Sequence, residues 1–332
     1  MTISHEFLLT LKEWKGFGPK NIQAVAEYLS TSSIKTLTPQ EYLDIIADVK
    51  QLGHLKRIKE LPSKSFISEA YRRALQALEQ SEDLGIHFVS RFDNDFPEKL
   101  LNTVNEDGKP DVPLFLFYKG SLTATSGATV AVIGTREPSI EGEKAGRYIS
   151  SKLAEKGVSI VSGLALGCDT SGHRGALDVE GGRTVAFLAH GLDTVYPPQN
   201  EALAEEIVAN DGILMSEYPV GSGIDRYKLV ARDRFQAALA DTVIVVQTGI
   251  TGGTMHAVNA ALSVGKPVYA LKYKGYINHD KISGNSYLIE KRGAIGLKGD
   301  EIDSFISKVC QKPPQHVAKR HEGKVIEPTL FD

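Results

Sequence analysis

The sequence predicts an α/β protein: a mostly parallel sheet with helices on both faces, preceded by a small helical domain. Three observations carry that reading. Between residues 129 and 271, short Val/Ile/Leu/Ala runs alternate with amphipathic stretches of helical length. That is the pattern of strands buried on both faces and joined by crossover helices. Three of the runs end in small residues that open onto a helix start: Gly134-Thr135-Arg136, Ser162-Gly163-Leu164-Ala165-Leu166-Gly167 and Thr251-Gly252-Gly253-Thr254. Before about Ser81, by contrast, no run reads as a strand, and apolar residues keep helical spacing.

The totals agree. A chain of 332 residues has room for one sizeable α/β domain and a smaller one. Its net charge of −3 excludes indiscriminate coating of nucleic acid but leaves room for a local basic groove. Cys168 and Cys310 stand far apart in sequence, which suits a reducing cytoplasm and no disulfide framework. No apolar run approaches the roughly 20 residues that span a bilayer. The start, Met1-Thr2-Ile3-Ser4-His5-Glu6, lacks the order of a signal peptide.

Taken in order, Leu8, Leu9, Leu11 and Trp14 form one helical face, and Gly16-Phe17-Gly18-Pro19 breaks it. Ile22, Val25, Ala26 and Leu29 resume the spacing. The unit reads either as a helix-hairpin-helix flanked by Lys15 and Lys20 or as a tight turn in a small helical domain. Residues 71–84 suit a linking helix, and 86–89 and 114–118 suit strands. The core strands are expected at 130–133, 158–161, 185–188, 213–215, 243–246 and 268–271. A last helix is expected at 301–309, followed by a polar, mobile tail. The expected divisions are 1–82, 83–299 and 300–332.

In such a sheet ligands bind outside the carboxyl ends of the strands, where the predicted turns lie. Small residues there expose backbone amides at helix starts and so favour phosphate. Gly134-Thr135-Arg136 is not the Gly-rich turn of a dinucleotide site. Arg136 suits either a phosphate fork or a surface ion pair. Ser162, Gly163 and Gly167 would let a ligand approach the backbone closely. Asp169 reads as a cap of the following helix, His173 as a core histidine, and Cys168 as a small packing residue. Residues 226–235 gather Arg226, Lys228, Arg232 and Arg234 with Tyr227 and Phe235. Cations interleaved with aromatics suit a nucleic-acid backbone with stacked bases. Lys266 and Lys272 could extend that patch. Site expectations therefore rest on Gly134, Thr135, Arg136, Ser162, Gly163, Leu164, Ala165, Gly167, Lys228, Arg232, Arg234, Gly252, Gly253 and Thr254. No metal site, cofactor or catalytic constellation is found, so a binding protein is expected rather than an enzyme.

Several segments occur in the order seen in the DNA-processing protein A (DprA/Smf) family. They are Gly134-Thr135-Arg136, residues 162–169, Gly172-His173, residues 191–197 with Asn200, Ser216-Glu217-Tyr218-Pro219, Arg232-Asp233-Arg234 and Gly284-Asn285. The chain resembles that family over roughly residues 85–296. The resemblance implies an extended Rossmann-like fold, binding of single-stranded DNA without cutting it, delivery of the strand to a RecA-type recombinase, and a homodimer. The departures are Asp233 where the family has Asn between the arginines, Gln247 where an acidic residue is common, and no room after Gly299 for a winged helix.

A second reading is an enzyme or sensor acting on a nucleotide-like small molecule. Gly252-Gly253-Thr254 resembles the phosphate loop of nucleoside-monophosphate phosphoribohydrolases. Their catalytic Glu is missing, since Met255-His256-Ala257 follows. The tail Glu327-Pro328-Thr329-Leu330-Phe331-Asp332 resembles sliding-clamp peptides through Leu330 and Phe331, or else folds back on its own domain.

Overall fold

The computed structural model describes residues 3–31, 38–274 and 279–311. The tail with Leu330 and Phe331 lies outside them.

Four helices come first: α1 (His5–Glu13), α2 (Pro19–Thr31), α3 (Pro39–Gln51) and α4 (Lys64–Asp83). Their starts are legible in the residues that cap them. Ser4 accepts from the Phe7 amide, Ser63 from Phe66, and Thr38 with Glu41 forms a reciprocal capping box. Between α1 and α2 the turn residue Phe17 is buried and stacks on Trp14 at 4.5 Å.

The remainder forms one nine-stranded sheet. Its strands are β1 (His87–Ser90), β2 (Phe115–Gly120), β3 (Thr129–Ile133), β4 (Ser159–Ser162), β5 (Thr184–Phe187), β6 (Ile213–Ser216), β7 (Thr242–Val245), β8 (Val268–Leu271) and β9 (Ile295–Leu297). The order is β1-β2-β6-β5-β4-β3-β7-β8-β9. Only β1–β2 and β2–β6 are antiparallel, so the protein has the expected mostly parallel α/β architecture. Helices α5 (Ile140–Ala154), α6 (Cys168–Leu177), α7 (Glu201–Ala209), α8 (Arg226–Leu239), α9 (Thr254–Ser263), α10 (His279–Lys291) and α11 (Ile302–Gln311) complete it.

Alternation along β3 shows how the layers form. Val130 and Val132 join a cluster with Ile149 and Leu153 of α5 and Phe305 of α11. Ala131 and Ile133 face the other way, into a cluster with Phe235 of α8 and Val258 of α9. Each of those fully buried large aliphatics contributes about 1.5–3 kcal/mol. The N-terminal helices share a third cluster with Phe115, Phe117, Leu188 and Leu214, so they pack on the sheet through β2, β5 and β6. No described helix is long and apolar enough to cross a membrane.

After β3 the chain moves to β4 on one side, while β7 lies on the other. This reversal leaves a crevice at the carboxyl ends of β3 and β7, where ligands bind in open α/β sheets.

Candidate nucleic-acid interface

A cleft of about 310 Å³ occupies that crevice, lined by the ends of β3 and β7, the loop after β4, and α8 and α9. Its first wall is Gly134-Thr135-Arg136. The Thr135 amide donates to the Gln247 carbonyl at 2.7 Å, and the Thr135 carbonyl accepts from the Cys168 amide at 3.1 Å. Those bonds fix the backbone that carries Arg136. The Arg136 side chain is exposed and makes no hydrogen bond or ion pair with any described residue. Gly167, at φ +78°, makes room for the backbone at Arg136, since a Cβ there would lie 2.6 Å from the Arg136 carbonyl. Of the two readings of Arg136, the surface ion pair is absent among the described residues.

The loop after β4 is held more tightly than its small residues suggest. Ser162 is buried and donates through Oγ to the Val132 carbonyl at 2.7 Å. The Asp169 carboxylate accepts from the Gly163 and Ala165 amides at 3.1 and 3.3 Å. Leu164, at φ +59° and buried, donates its amide to His173 Nε2 at 3.3 Å. Asn200 Nδ2 donates to the Leu164 and Ala165 carbonyls at 2.8 and 3.2 Å. The amides of Gly163, Leu164 and Ala165 are therefore spent inside the loop. Asp169 does not cap its own helix as expected: from the first turn of α6 it reaches back and closes the loop. His173 keeps its core role. Its Nδ1 meets Thr184 Oγ1 at 2.6 Å, whose hydroxyl donates to the Ile160 carbonyl, so the ring is neutral and carries its proton on Nδ1. Burial, helped by the Arg232 charge, pushes its pKa down to about 3. Cys168 is buried, and its thiol is pushed up to about 12, chiefly by that burial.

Helix α8 starts at Asp225, whose Oδ1 accepts from the Tyr227 and Lys228 amides at 2.8 and 2.9 Å. Its cations then separate. Arg232 is buried, donates through Nη1 to the Gly163 and Phe187 carbonyls, and through Nε to Asp233 Oδ1 at 3.0 Å. A Cβ on residue 163 would fall on that guanidinium, so Gly163 serves this contact. Asp233 lies in the cleft wall, and burial raises its carboxyl pKa to about 6 despite the Arg232 charge. Arg234 lies two residues on, about 200° around the helix. It faces a different cavity, of about 440 Å³, and binds Asp111 at 2.8 Å and Glu217 at 2.7 Å. Lys228 donates to the Gly223 carbonyl at 2.6 Å and lies over the Tyr218 ring. Lys266 is spent as well, on the carbonyls of Ala237, Ala238 and Ala240 at the end of α8.

The third wall follows β7. Gln247 is fully buried and binds the Ser139 amide and hydroxyl at 2.8 and 3.1 Å, tying β7 to the start of α5. Asn285 of α10 accepts from the Thr248 amide at 2.9 Å and donates to the Val246 and Leu271 carbonyls. Beyond it, Thr251, Gly252, Gly253 and Thr254 line the cleft at the start of α9. Their amides have no acceptor among the described residues. This stretch, unlike the loop after β4, keeps the anion-binding character of a helix start.

Two exposed tyrosines complete the edge. Tyr196 is 46% exposed and shares a small pocket with Arg136, Leu166 and Leu229. Tyr227 is 71% exposed and lies under the Arg226 guanidinium at 4.7 Å. Sequence reasoning gave Tyr196 no role; its position in a loop beyond a buried strand was the available signal. The structure brings Gly134, Thr135, Arg136, Ala165, Arg232 and Gly252-Gly253-Thr254 to one cleft. Arg234 it places elsewhere.

The family model described as DNA recombination-mediator protein A matches residues 87–307. Protein Smf of Escherichia coli is 34% identical over 260 residues, 77% of this chain and 64% of that protein. The chain thus spans just under two thirds of that relative's length. The X-ray structure of DprA from Streptococcus pneumoniae superimposes with a TM-score of 0.70 at 29% identity, covering 92% of this chain and 98% of that one. DNA processing protein A of Helicobacter pylori, whose structure concerns a single-stranded DNA binding mode, gives 0.58 at 27% identity, covering 69% and 97%. With the sheet order, the cleft and these likenesses in agreement, the chain belongs to the DNA recombination-mediator protein A family.

Proposed function

We propose that this protein binds single-stranded DNA at the carboxyl edge of its sheet and acts in DNA processing and recombination. The observation that carries this is the convergence on one edge of Arg136 and the amides of Thr251–Thr254, none of which has a partner among the described residues, with the exposed rings of Tyr196 and, at the start of α8, Tyr227. A free guanidinium and helix-start amides suit phosphates, and exposed aromatic faces suit unstacked bases. The family and the two DNA processing proteins named above support the same role. In this reading the protein works in the cytoplasm, holds the strand as a homodimer without cutting it, and passes it to a RecA-type recombinase. The commitment of Asp169, Asp233 and His173 to structural hydrogen bonds supports holding over cutting.

The second reading, a nucleotide-like ligand, draws on the cleft's volume and the same open amides. One titration separates the two. Labelled single strands, duplex and free nucleotides are compared across a salt series. Strand binding should weaken steeply with salt, by a log–log slope of roughly 0.7 per phosphate contact. Saturable mononucleotide binding that ignores salt, with no strand binding, would reject the DNA reading.

A further inference from the structure

Residues 50–64 carry five cations, Lys50, Lys56, Arg57, Lys59 and Lys64, against one carboxylate, Glu60, in a chain of net charge −3. The segment joins α3 to α4, and its apolar residues Leu55 and Ile58 turn inward onto the N-terminal cluster. Lys56, Arg57, Lys59 and Lys64 are exposed. None of them forms an ion pair with a described carboxylate. Arg57 sits at φ +63°, a conformation that a residue with a long side chain rarely adopts. The segment is fastened to the first turn of α2. Buried Asn21 donates to the Lys56 carbonyl at 3.2 Å and accepts from the Lys56 amide at 2.9 Å. Exposed Lys20 therefore stands beside Lys56, while Lys50 Nζ donates to the Lys59 carbonyl at 2.6 Å and sets its charge beside Lys59.

This basic surface lies at the same edge of the sheet as the cleft. Two antiparallel pairings separate β1 from β6, so β1 points the same way as β3 and its carboxyl end is at that edge. Arg91, the residue after β1, donates to the Pro19 carbonyl and to Gln23 Oε1, which holds the start of α2 there. Five strand spacings separate β1 from β3, about 24 Å along the edge. Exposed Arg226 and Tyr227 begin α8, which follows β6, a strand lying between β1 and β3 in the sheet.

We propose that the N-terminal helices form a second DNA surface, on which a single strand leaving the cleft lays its phosphates against Lys20, Lys56, Arg57, Lys59 and Lys64. The proposal rests on the cleft being the strand's primary site. Unpaired cations along a groove edge track a backbone without reading its sequence, so the surface lengthens the footprint and adds no base preference.

The test is the full-length triple variant Lys56→Gln, Arg57→Asn, Lys59→Gln, with Asn chosen because it tolerates the left-handed backbone at 57. Its thermal melt checks the fold, and Arg136→Ala serves as the cleft control. Binding is measured with strands of roughly 6 nucleotides, within one stacking platform, and roughly 30 nucleotides, long enough to reach beyond it. On the long strand the triple variant should lose about 2 from the salt slope, so that between 50 and 200 mM salt the wild type loses about 20-fold more affinity than the variant. On the short strand the two should agree, whereas Arg136→Ala should weaken both lengths. A folded triple variant that keeps the wild-type slope on the long strand overturns the second surface alone. A wild type that binds neither length removes the cleft reading, and this extension with it.

Discussion

Replacing Asp233 by Asn should raise stability at neutral pH and leave it little changed near pH 4. Asp233 is 9% exposed in the cleft wall, and burial pushes its carboxyl pKa up from the ordinary 3.8 to about 6. A folded-state pKa raised above the unfolded value means that the native state binds more protons between the two. Stability therefore falls as pH rises from about 4 to 6 and stays lower above that window. A shift of this size corresponds to roughly 3 kcal/mol at neutral pH. Asn cannot ionise, so that cost vanishes in the variant. The raised value is already net of the Arg232 charge and of the bond to Arg232 Nε at 3.0 Å, so the whole of that gain appears at pH 7. Near pH 4 both side chains are neutral, and the two proteins should differ little. Urea unfolding of wild type and variant at several values from pH 4 to 7 reads the difference directly, since other titrations are shared. The gap should move by roughly 3 kcal/mol in favour of the variant as pH rises. A gap constant to within about 0.5 kcal/mol would mean that Asp233 titrates normally and is not desolvated. The same substitution removes a negative charge from the proposed strand path, so affinity for single strands should rise in parallel.

Three further outcomes follow from the same geometry. Arg136→Ala should weaken single-strand binding by about 1–3 kcal/mol and leave the melting temperature alone, because the side chain has no described partner to lose; an equal loss of stability would show that it packs. Arg232→Gln should do the reverse, costing about 3–5 kcal/mol of stability by leaving Asp169 and Asp233 buried without their counter-charge, and a fully stable variant with weakened binding would return Arg232 to the DNA contact. His173, held near pKa 3 when folded, takes up no proton as the unfolded chain does below about 6.5; stability should drop as pH falls through that range, by about 2 kcal/mol at pH 5, and an imidazole NMR titration with a midpoint near 6 would contradict the buried neutral ring.

How much of this was legible depends on the range over which each signal acts. The core strands were readable to within a residue because a strand buried on both faces is a local run, as at residues 268–271. Strand β9 was not, since Ile295-Gly296-Leu297 is three residues long with a glycine at its centre and pairs only with β8. The loop after β4 advertised itself by its glycines, yet its amides are consumed by Asp169 and His173. Nothing in the spacing distinguishes a glycine that admits a ligand from one that admits Arg232. The same holds for Asn200 and Asn285, which fasten loops through carbonyls between 14 and 40 residues away.

Arg232-Asp233-Arg234 is the sharpest case. Adjacency in sequence suggested one basic patch, but a rotation of about 100° per residue sends the two guanidinium groups to different cavities. Each is then quenched by carbonyls and carboxylates supplied by distant elements. What a cation can do for a ligand is decided by whether the fold has already used it. That criterion selects Arg136 at the cleft, and Lys56, Arg57 and Lys59 at the N-terminal surface, over the arginines that the sequence pattern favoured.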